Sequence, residues 1–436
     1  MNRLRSEYVA GEKLVTKLGF SIPPGMESFQ LVVGWPAKAC EVLSARLLPR
    51  GFSLPSTSTL IDDLDDVFGS NQMEYVERTA IDAAVKHGVS FVFTSRGDTT
   101  VGEPEELVTA RTALSASAEM DPRSRRITSA LELLGGTRVN LYLPGRVLVC
   151  VRRPSGWMVE DEYATASSRV LCTPYVHNAS IEKPFGSSRV TRPLMGYTDA
   201  AVRTLLREEV SAEFYSAPRQ SLLGADESVF VDQDGNLRPA WAAIIGAVWA
   251  IPDEEDELTG ERHRPDLKTL PQMTMQPHND QLRMIAQMAS GETGIPLSYL
   301  GVMQDSNPTS ADAIHANEID LVRIARGQFP SLGMGREQLA RDVLTLRHGE
   351  VPEQELRGLK SRWEDPRSQS ITEQSQFVAQ QVSSGNFQPG SRATLDQLPI
   401  TPEEAERFAT ENARLAGQSQ LQNLLAQDAP TGSGGQ

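Results

Sequence analysis

Three cysteines are all this chain has, at positions 40, 150 and 172, far apart and odd in number. They form no CxxC pair and no Cys/His ligand spacing. Neither a disulfide framework nor a zinc ribbon is encoded, and structural thiols in a reducing compartment are expected. Long apolar runs are missing as well. None approaches the roughly 18 residues that span a bilayer, and the N-terminus has no apolar signal segment, so no membrane partner is expected. The G-x-x-x-x-G-K-[ST] phosphate loop is absent, as are the G-x-S-x-G elbow and the H-E-x-x-H zinc helix. Positive charge is in deficit. Lys and Arg total 42 against 57 Asp and Glu, a net charge of -15, with a pI near 5.0. Such a surface repels phosphates and excludes a general nucleic-acid binder. It suits an ordinary soluble protein, and also a channel through which DNA slides without sticking.

What is present is enough chain for about three domains, 436 residues with 39% hydrophobic and 23% charged. Residues 1 to 50 read as an N-terminal arm with Pro23, Pro24 and Pro36, followed by a helix through Ala37 to Leu48. Leu60 to His87 is helical in pattern, with Leu60, Leu64, Val67 and Phe68 and then Val76, Ile81 and Val85 at helical spacing. The pairs Asp62-Asp63 and Asp65-Asp66 fall beside or opposite that stripe and read as solvated rather than metal-binding. Val89 to Thr94 reads as a strand. After a helical patch come Arg138 to Tyr142 and Val147 to Arg152, joined by the turn Pro144-Gly145, with Trp157 to Val159 as a further strand. The region from 55 to 185 is thus an α+β domain, helices before an antiparallel sheet.

Thr198 reads as an N-cap with Asp199 in the first turn, opening a helix of about 20 residues before Pro218. Val202, Leu205, Leu206, Val210 and Phe214 spread over more than one face, so this helix must bury itself among several neighbours, in one chain or in copies of it. Val229 to Leu237 suggests a hairpin, and its Asp232, Asp234 and Asn236 lack the glutamate a calcium loop needs at its twelfth position, Ala243. Asp253, Glu254, Glu255, Asp256 and Glu257 form an acidic loop, followed by Arg262, His263 and Arg264. Pro277 and Asn279 start the next helix, with Leu282, Ile285, Ala286 and Ala289 in one stripe and Met284 and Met288 beside it. Ser298 to Ser310 reads as a loop. Thr309 or Ser310 caps a helix carrying Ile314, Leu321, Val322 and Ala325. Gly327 and Pro330 interrupt it, and Leu339, Val343 and Leu346 resume the stripe, so a broken or kinked long helix is expected. Beyond Pro366 the chain turns Gln- and Ser-rich, with helices at about 371 to 384 and 401 to 426, and its last residues, PTGSGGQ, are flexible by composition. The six histidines are scattered. His315 could share a helix face with Asp312 and Glu318, which reads as an exposed polar face rather than a metal or base site.

Three blocks also carry a resemblance. SRVTRPLM with TDAAVRTLLREEVSAEFYSAPRQSLLGAD, then PHNDQLRMIAQMASGETGIPLSYLG from Pro277 to Gly301, then NPTSADAIHANEIDLVRIA from Asn307 to Ala325, occur in the order found in tailed-bacteriophage portal proteins of the actinobacteriophage type. The first two resemble that family's stem segments and the third the start of its long helix. The likeness covers about Gly51 to Leu346. It implies an α+β, mainly α, ring-forming fold: an N-terminal arm and wing over 1–187, stem helices over 188–224 and 271–298, and a clip between them over 225–270. A channel loop and kinked long helix fill 299–365, and a short crown-like region with a flexible tail fills 366–436. The channel loop would be Gly301, Val302, Met303, Gln304, Asp305, Ser306, Asn307 and Pro308, and the acidic residues 253 to 257 would dock partners.

The resemblance further implies a homo-oligomer of twelve subunits at one capsid vertex of the virion, assembled in the host cytoplasm. Double-stranded DNA would be packaged and ejected through it without sequence specificity. Its partners would be the terminase large subunit, a head-tail adaptor, and the major capsid and scaffolding proteins. No cofactor, metal or catalytic residue is implied. The alternative class is a soluble α+β enzyme with an unrecognised carboxylate or histidine site.

Overall fold

The apolar run after Gly88 becomes the middle strand of a three-stranded antiparallel sheet. The computed structural model describes residues 1–15, 30–54, 59–165, 167–215, 220–223, 254–255, 262–263, 266–269, 274–302, 311–367, 371–395, 397–398, 400 and 402–427. Contacts divide the chain into two units, Met1–Pro366 and Arg367–Gln436.

In the first unit, α1 (Asn2–Ala10), α2 (Trp35–Ser44), β1 (Pro49–Ser53), α3 (Leu60–Ser70) and α4 (Met73–His87) precede β2 (Val89–Arg96). The helical stretch predicted from Leu60 to His87 is therefore two helices, parted at Asn71 and Gln72, where Gln72 takes a left-handed φ of 51°. Pro36 sits in the first turn of α2, where its missing N–H costs no hydrogen bond. β3 (Glu106–Thr112) pairs with one edge of β2, and β9 (Cys172–Val176) with the other. β2 is buried on both faces, which accounts for its run of apolar residues broken only by the small hydroxyls of Ser90 and Thr94 before Ser95. On one face Val92 joins the helices, and Ser90 donates a 2.7 Å hydrogen bond to the Ala80 carbonyl of α4. On the other, Phe91 and Phe93 face a second sheet.

That second sheet is an antiparallel meander of β4 (Ala116–Met120), β5 (Ile127–Leu133), β6 (Arg138–Leu143), β7 (Arg146–Arg153) and β8 (Gly156–Ala164). The helical patch expected between Thr94 and Arg138 is absent. A single 3-10 turn at Thr99–Val101 and strands β3 to β5 occupy it. The helix-favouring Ala, Leu and Glu there are overridden by a period of two that buries Ala130 and Glu132 on one side of β5. Ala116, Ala130 and Tyr142 pack against β2, with the Tyr142 and Phe93 ring centroids 4.7 Å apart.

Beyond β9, α5 (Arg192–Tyr215) and α6 (Gln276–Thr293) flank an excursion, and α7 (Ala311–His348) runs as one helix to β14 (Lys360–Trp363), which pairs with β1. Gly327 and Pro330 do not break α7. Contacts on both sides of the proline hold the backbone: Phe329 stacks on Trp363 at 5.0 Å, and the Ser331 hydroxyl donates to the Val176 carbonyl at 2.9 Å. Those contacts offset the hydrogen bond that Pro330 removes. Asp63 and Asp66 of α3 face the end of α7, where the Arg347 guanidinium lies 2.5 Å from Asp66, and His348 lies 3.0 Å from Asp63. The acidic pairs on α3 are thus partly spent on α7.

Arg336 of α7 is the most deeply enclosed charged residue of this unit, 1% exposed. Its guanidinium meets both carboxylate oxygens of Glu77 at 2.7 and 3.0 Å, and donates to Ser361 Oγ at 2.6 Å and to the Gly51 carbonyl at 3.2 Å. The Tyr175 hydroxyl donates to the same Glu77 carboxylate at 2.9 Å, and the Phe52 ring lies 4.6 Å from the guanidinium carbon. One ion pair therefore ties α7, α4, β9, β1 and β14 together.

The second unit holds α8 (Ile371–Ser383), α9 (Arg392–Leu395) and α10 (Pro402–Gln427), the first and last close to the two predicted helices. Phe377 and Phe387 meet edge-on at 6.4 Å. The predicted flexible end and the hairpin predicted from Val229 lie outside the described residues.

Candidate functional site

α5 begins seven residues earlier than the sequence predicts, capped at Thr191 rather than Thr198. Pro193 lies in its first turn, and Thr191 accepts a 3.3 Å bond from the Leu194 amide, as an N-cap does. Thr198 is inside the helix, buried, and donates back to the Leu194 carbonyl at 2.8 Å. A threonine followed by aspartate has the composition of a cap, but the hydroxyl is equally satisfied by the carbonyl four residues back.

α5 and α6 lie antiparallel. Near one end Thr191 donates to Glu292 at 2.9 Å, and toward the other Ser211 lies 3.5 Å from His278. Between these points Leu194, Ala201, Ile285, Ala286 and Ala289 are buried in one cluster with Trp35 and Ile295. Alanine at three of those positions lets the helix axes approach closely. The Arg189 guanidinium, just before α5, donates to the carbonyl of Thr293, the last residue of α6. A cation there satisfies a carbonyl that the helix leaves without a partner. The turn feeding Arg189 is set by Gly186, where φ is +72° and a Cβ would stand 2.1 Å from the His177 carbonyl.

Of the predicted packing residues, Val202, Leu206, Ile285 and Ala289 are buried within this chain, while Leu205, Val210 and Leu282 are half-buried. The Phe214 side chain lies outside the described residues. Met284 and Met288 are 53% and 50% exposed, so they form the apolar face that α6 turns away from its own chain.

Between α5 and α6 the chain leaves and returns side by side. β10 (Gln220–Leu223) pairs antiparallel with β13 (Asp266–Thr269). Within the same excursion of sequence, β11 (Glu254–Glu255) pairs with β12 (Arg262–His263), Glu254 opposite His263 and Glu255 opposite Arg262. Glu254 and Glu255, predicted as loop, are thus in a short ladder beside the basic residues that follow them. Asp253, Asp256 and Glu257 lie outside the described residues.

After α6, Leu297–Leu300 form a 3-10 turn ended by Gly301 at φ +80°, where the sequence predicts loop. Val302 packs on the α5/α6 cluster. Met303 to Pro308 of the predicted channel loop lie outside the described residues, and both flanks of that stretch are anchored. Trp35, buried, donates from its indole N–H to the Leu300 carbonyl at 3.0 Å. Glu318 of α7 is 4% exposed, accepts from the Tyr299 hydroxyl, and lies 2.9 Å from the Arg46 guanidinium. Burial first, and the Glu318 carboxylate second, push the Tyr299 hydroxyl pKa up. Glu318 is therefore not on the exposed polar face that sequence reading assigned to it. The signal was present, since Glu318 stands four residues after Ile314 on the apolar stripe of Leu321 and Ala325.

Among the described residues, no three His, Cys, Asp or Glu side chains converge into a group that could hold a metal, and no helix is long and apolar enough to cross a membrane. The buried histidines among the described residues, His87 and His177, are held neutral. Burial pulls His87 and His177 down to about 4, and His177 Nδ1 lies 2.7 Å from the Ser187 carbonyl, to which it donates.

No family model matches the sequence. Among solved structures, it is similar to a chain of the virion of a native gene transfer agent particle, with a TM-score of 0.47 and 12% identity, covering 91% of this chain and 94% of that one. It is also similar to a chain of the neck of an empty gene transfer agent particle, with a TM-score of 0.44, 11% identity and the same coverage. In sequence it is 24% identical to the portal protein of Mycobacterium phage D29 over 428 residues, 95% of this chain and 86% of that protein. It is 23% identical to the portal protein of Mycobacterium phage L5 over 404 residues, 90% and 81% of the two chains. Both likenesses run nearly end to end, and both of those relatives are phage portal proteins.

Proposed function

We propose that this chain is the subunit of a twelve-membered ring at one capsid vertex, through which double-stranded DNA enters and leaves. In that role it would dock the terminase large subunit during packaging and a head-tail adaptor afterwards. The observation that carries the reading is the antiparallel pair α5/α6, with an excursion that departs and returns through β10 and β13. Two long helices joined at one end by a protruding segment are what a stem with a clip requires. The N-terminal α+β region with α7 is then the wing, residues 253 to 257 belong to the docking surface, and the second unit is the crown-like part. Both named relatives are portal proteins, a name that points away from catalysis. Native mass and electron microscopy of the purified protein test the ring directly. A monomer with no central hole would end the reading.

In a ring, the exposed Met284 and Met288, one turn apart on α6, face a neighbouring subunit. Met284→Asp with Met288→Asp is expected to abolish assembly while the helical signal and the thermal midpoint of the subunit stay unchanged. Leu206→Asp is a poorer probe. Leu206 is buried within its own chain, so a charge there would unfold the subunit whatever its neighbours do.

The same reading puts Gly301 to Pro308 at the narrowest part of the channel, its roots fixed by the Trp35–Leu300 and Tyr299–Glu318 contacts. The stretch has no Lys or Arg to grip phosphate, and Asp305 repeated around the axis would repel the backbone of DNA. Asp305→Lys is expected to leave the ring intact and to retain DNA in the channel. Packaging at the wild-type rate in that variant would remove residues 301 to 308 from the DNA path.

A further inference from the structure

The five-stranded meander has one face against the core and one turned outward, and the outward face carries an apolar patch among residues such as Glu119, Ser129 and Arg152. Leu131, Leu141 and Leu148 stand side by side across β5, β6 and β7 on it, all only half-buried. In the next row Val139, already buried at 5% exposed, and half-buried Cys150 lead to Val159 of β8, which is 56% exposed, with Trp157 beyond it at 51%. An antiparallel sheet with one solvated face normally alternates apolar-in with polar-out, so this face is built to be covered. β8 is the outermost strand, exposed along its length, and also carries Glu160, Asp161 and Glu162.

The opposite edge of the same sheet has the opposite charge. The turn between β4 and β5 presents Arg123, Arg125 and Arg126, all exposed, and none has an acidic partner among the described residues. The turn is organised from within. Asp121 accepts from the Arg123 and Ser124 amides at 3.0 and 2.6 Å, its carbonyl accepts from the Arg125 amide at 2.8 Å, and Arg125 is held at a left-handed φ of 55°. Three arginines on a preorganised turn are costly to leave as bare like charges and inexpensive to dock. Four strand spacings, about 19 Å, separate this edge from β8.

We infer that neighbouring copies dock head to tail through this sheet: the arginine turn at the β4 edge of one copy meets the acidic, apolar strand β8 of the next. The partner is a second copy because each edge supplies what the other lacks. A copy with net charge -15 is repelled by its like, so contact needs a local match of opposite sign. A two-fold interface would set arginine against arginine and carboxylate against carboxylate. Complementary patches on different edges instead form a heterologous contact, the kind that closes into rings. Glu160 meets Arg138 at 3.2 Å and Arg153 at 3.7 Å, and Glu162 meets Arg146 at 3.1 Å, all exposed and exchangeable pairs, while Asp161 has no cation partner among the described residues. The inference deepens the ring reading and rests on it.

Charge reversal tests it. Arg123→Glu with Arg125→Glu and Arg126→Glu makes one variant; Asp161→Arg with Glu162→Arg makes the other. All five positions are exposed, so circular dichroism and the thermal midpoint should match the unaltered protein. Sedimentation velocity in about 0.15 M salt is expected to show each variant at least tenfold weaker in assembly. An equimolar mixture of the two should recover assembly, because alternating copies restore every contact. If the unaltered protein forms rings and both variants assemble as well as it does, the interface is wrong while the ring stands. If the unaltered protein is a monomer at all concentrations, the ring reading fails and this interface with it.

Discussion

Arg336→Met is expected to cost about 3 to 5 kcal/mol of folding stability, measured by urea unfolding of the isolated subunit. The substitution keeps much of the side-chain volume and the contact with the Phe52 ring, so packing is not what it removes. It leaves the Glu77 carboxylate, 3% exposed, with the Tyr175 hydroxyl as its remaining hydrogen-bond donor among the described residues. It also strips Ser361 Oγ and the Gly51 carbonyl of their donor. A buried charge stranded in this way is the expensive case, whereas a buried pair replaced on both sides is often close to neutral. Arg336→Met with Glu77→Gln should therefore recover most of the loss, since a glutamine still accepts from Tyr175. If the double variant is no more stable than Arg336→Met alone, the cost lies in the shape of the site rather than in the stranded charge.

Asp342→Asn is expected to stabilise the subunit at pH 7.5 by roughly 2 to 3 kcal/mol. Asp342 is 4% exposed, and burial pushes its carboxyl up to about 6 against the bonds it accepts from Gln338 at 2.7 Å and Thr173 at 3.0 Å. For an acid whose folded pKa is raised, the folded state holds its proton more tightly than the unfolded chain. Stability then falls as pH rises from about 4 to about 6 and stays low above that. Asparagine mimics the protonated form at every pH and lifts that penalty. His177 acts in the opposite direction. Its folded pKa, lowered to about 4 from 6.5, gives stability that is complete above about pH 6.5 and lost as pH falls toward 4, roughly 3 kcal/mol. His87 shifts the same way. Unfolding from pH 7.5 to 4.5 should show a net acid loss in the unaltered protein and a steeper one in Asp342→Asn, where only the histidines remain. A gain at pH 7.5 that persists unchanged at pH 4.5 would mean that the asparagine acts through packing rather than ionisation.

The buried charges explain where sequence reading stopped. Arg336 stands four residues after Leu332 and three before Leu339, on the apolar stripe of α7. Glu77 stands between Met73 and Ile81 on the stripe of α4. Each looks like a defect in its own stripe, and two defects of opposite charge are a clue that they are spent on each other. The clue does not say which partner each finds, because 259 residues separate the two. Glu318 carries the same clue, although its place beside Asp312 and His315 suggests a solvent-facing side.

By itself the sequence determined the element types that local periodicity controls: the helices around α3 to α8, the central strand β2, the hairpin at Pro144-Gly145, and the three ordered blocks that mark the family. Each depends on residues within one or two turns of each other, or on a pattern of types along the chain. Only the tertiary structure decided where α5 starts, since a hydroxyl at Thr198 can cap or bond back with equal ease. Tertiary contacts alone carry α7 unbroken past Pro330, through Phe329 on Trp363 and Ser331 on Val176. They also turn the Ala- and Leu-rich stretch before Arg138 into strands, because burial on one side of a sheet outweighs a helix propensity worth a few tenths of a kcal/mol per residue. The arginine turn and β8 share one sheet for the same reason. Strand order is settled by which faces bury each other, and that balance is struck in space rather than along the chain.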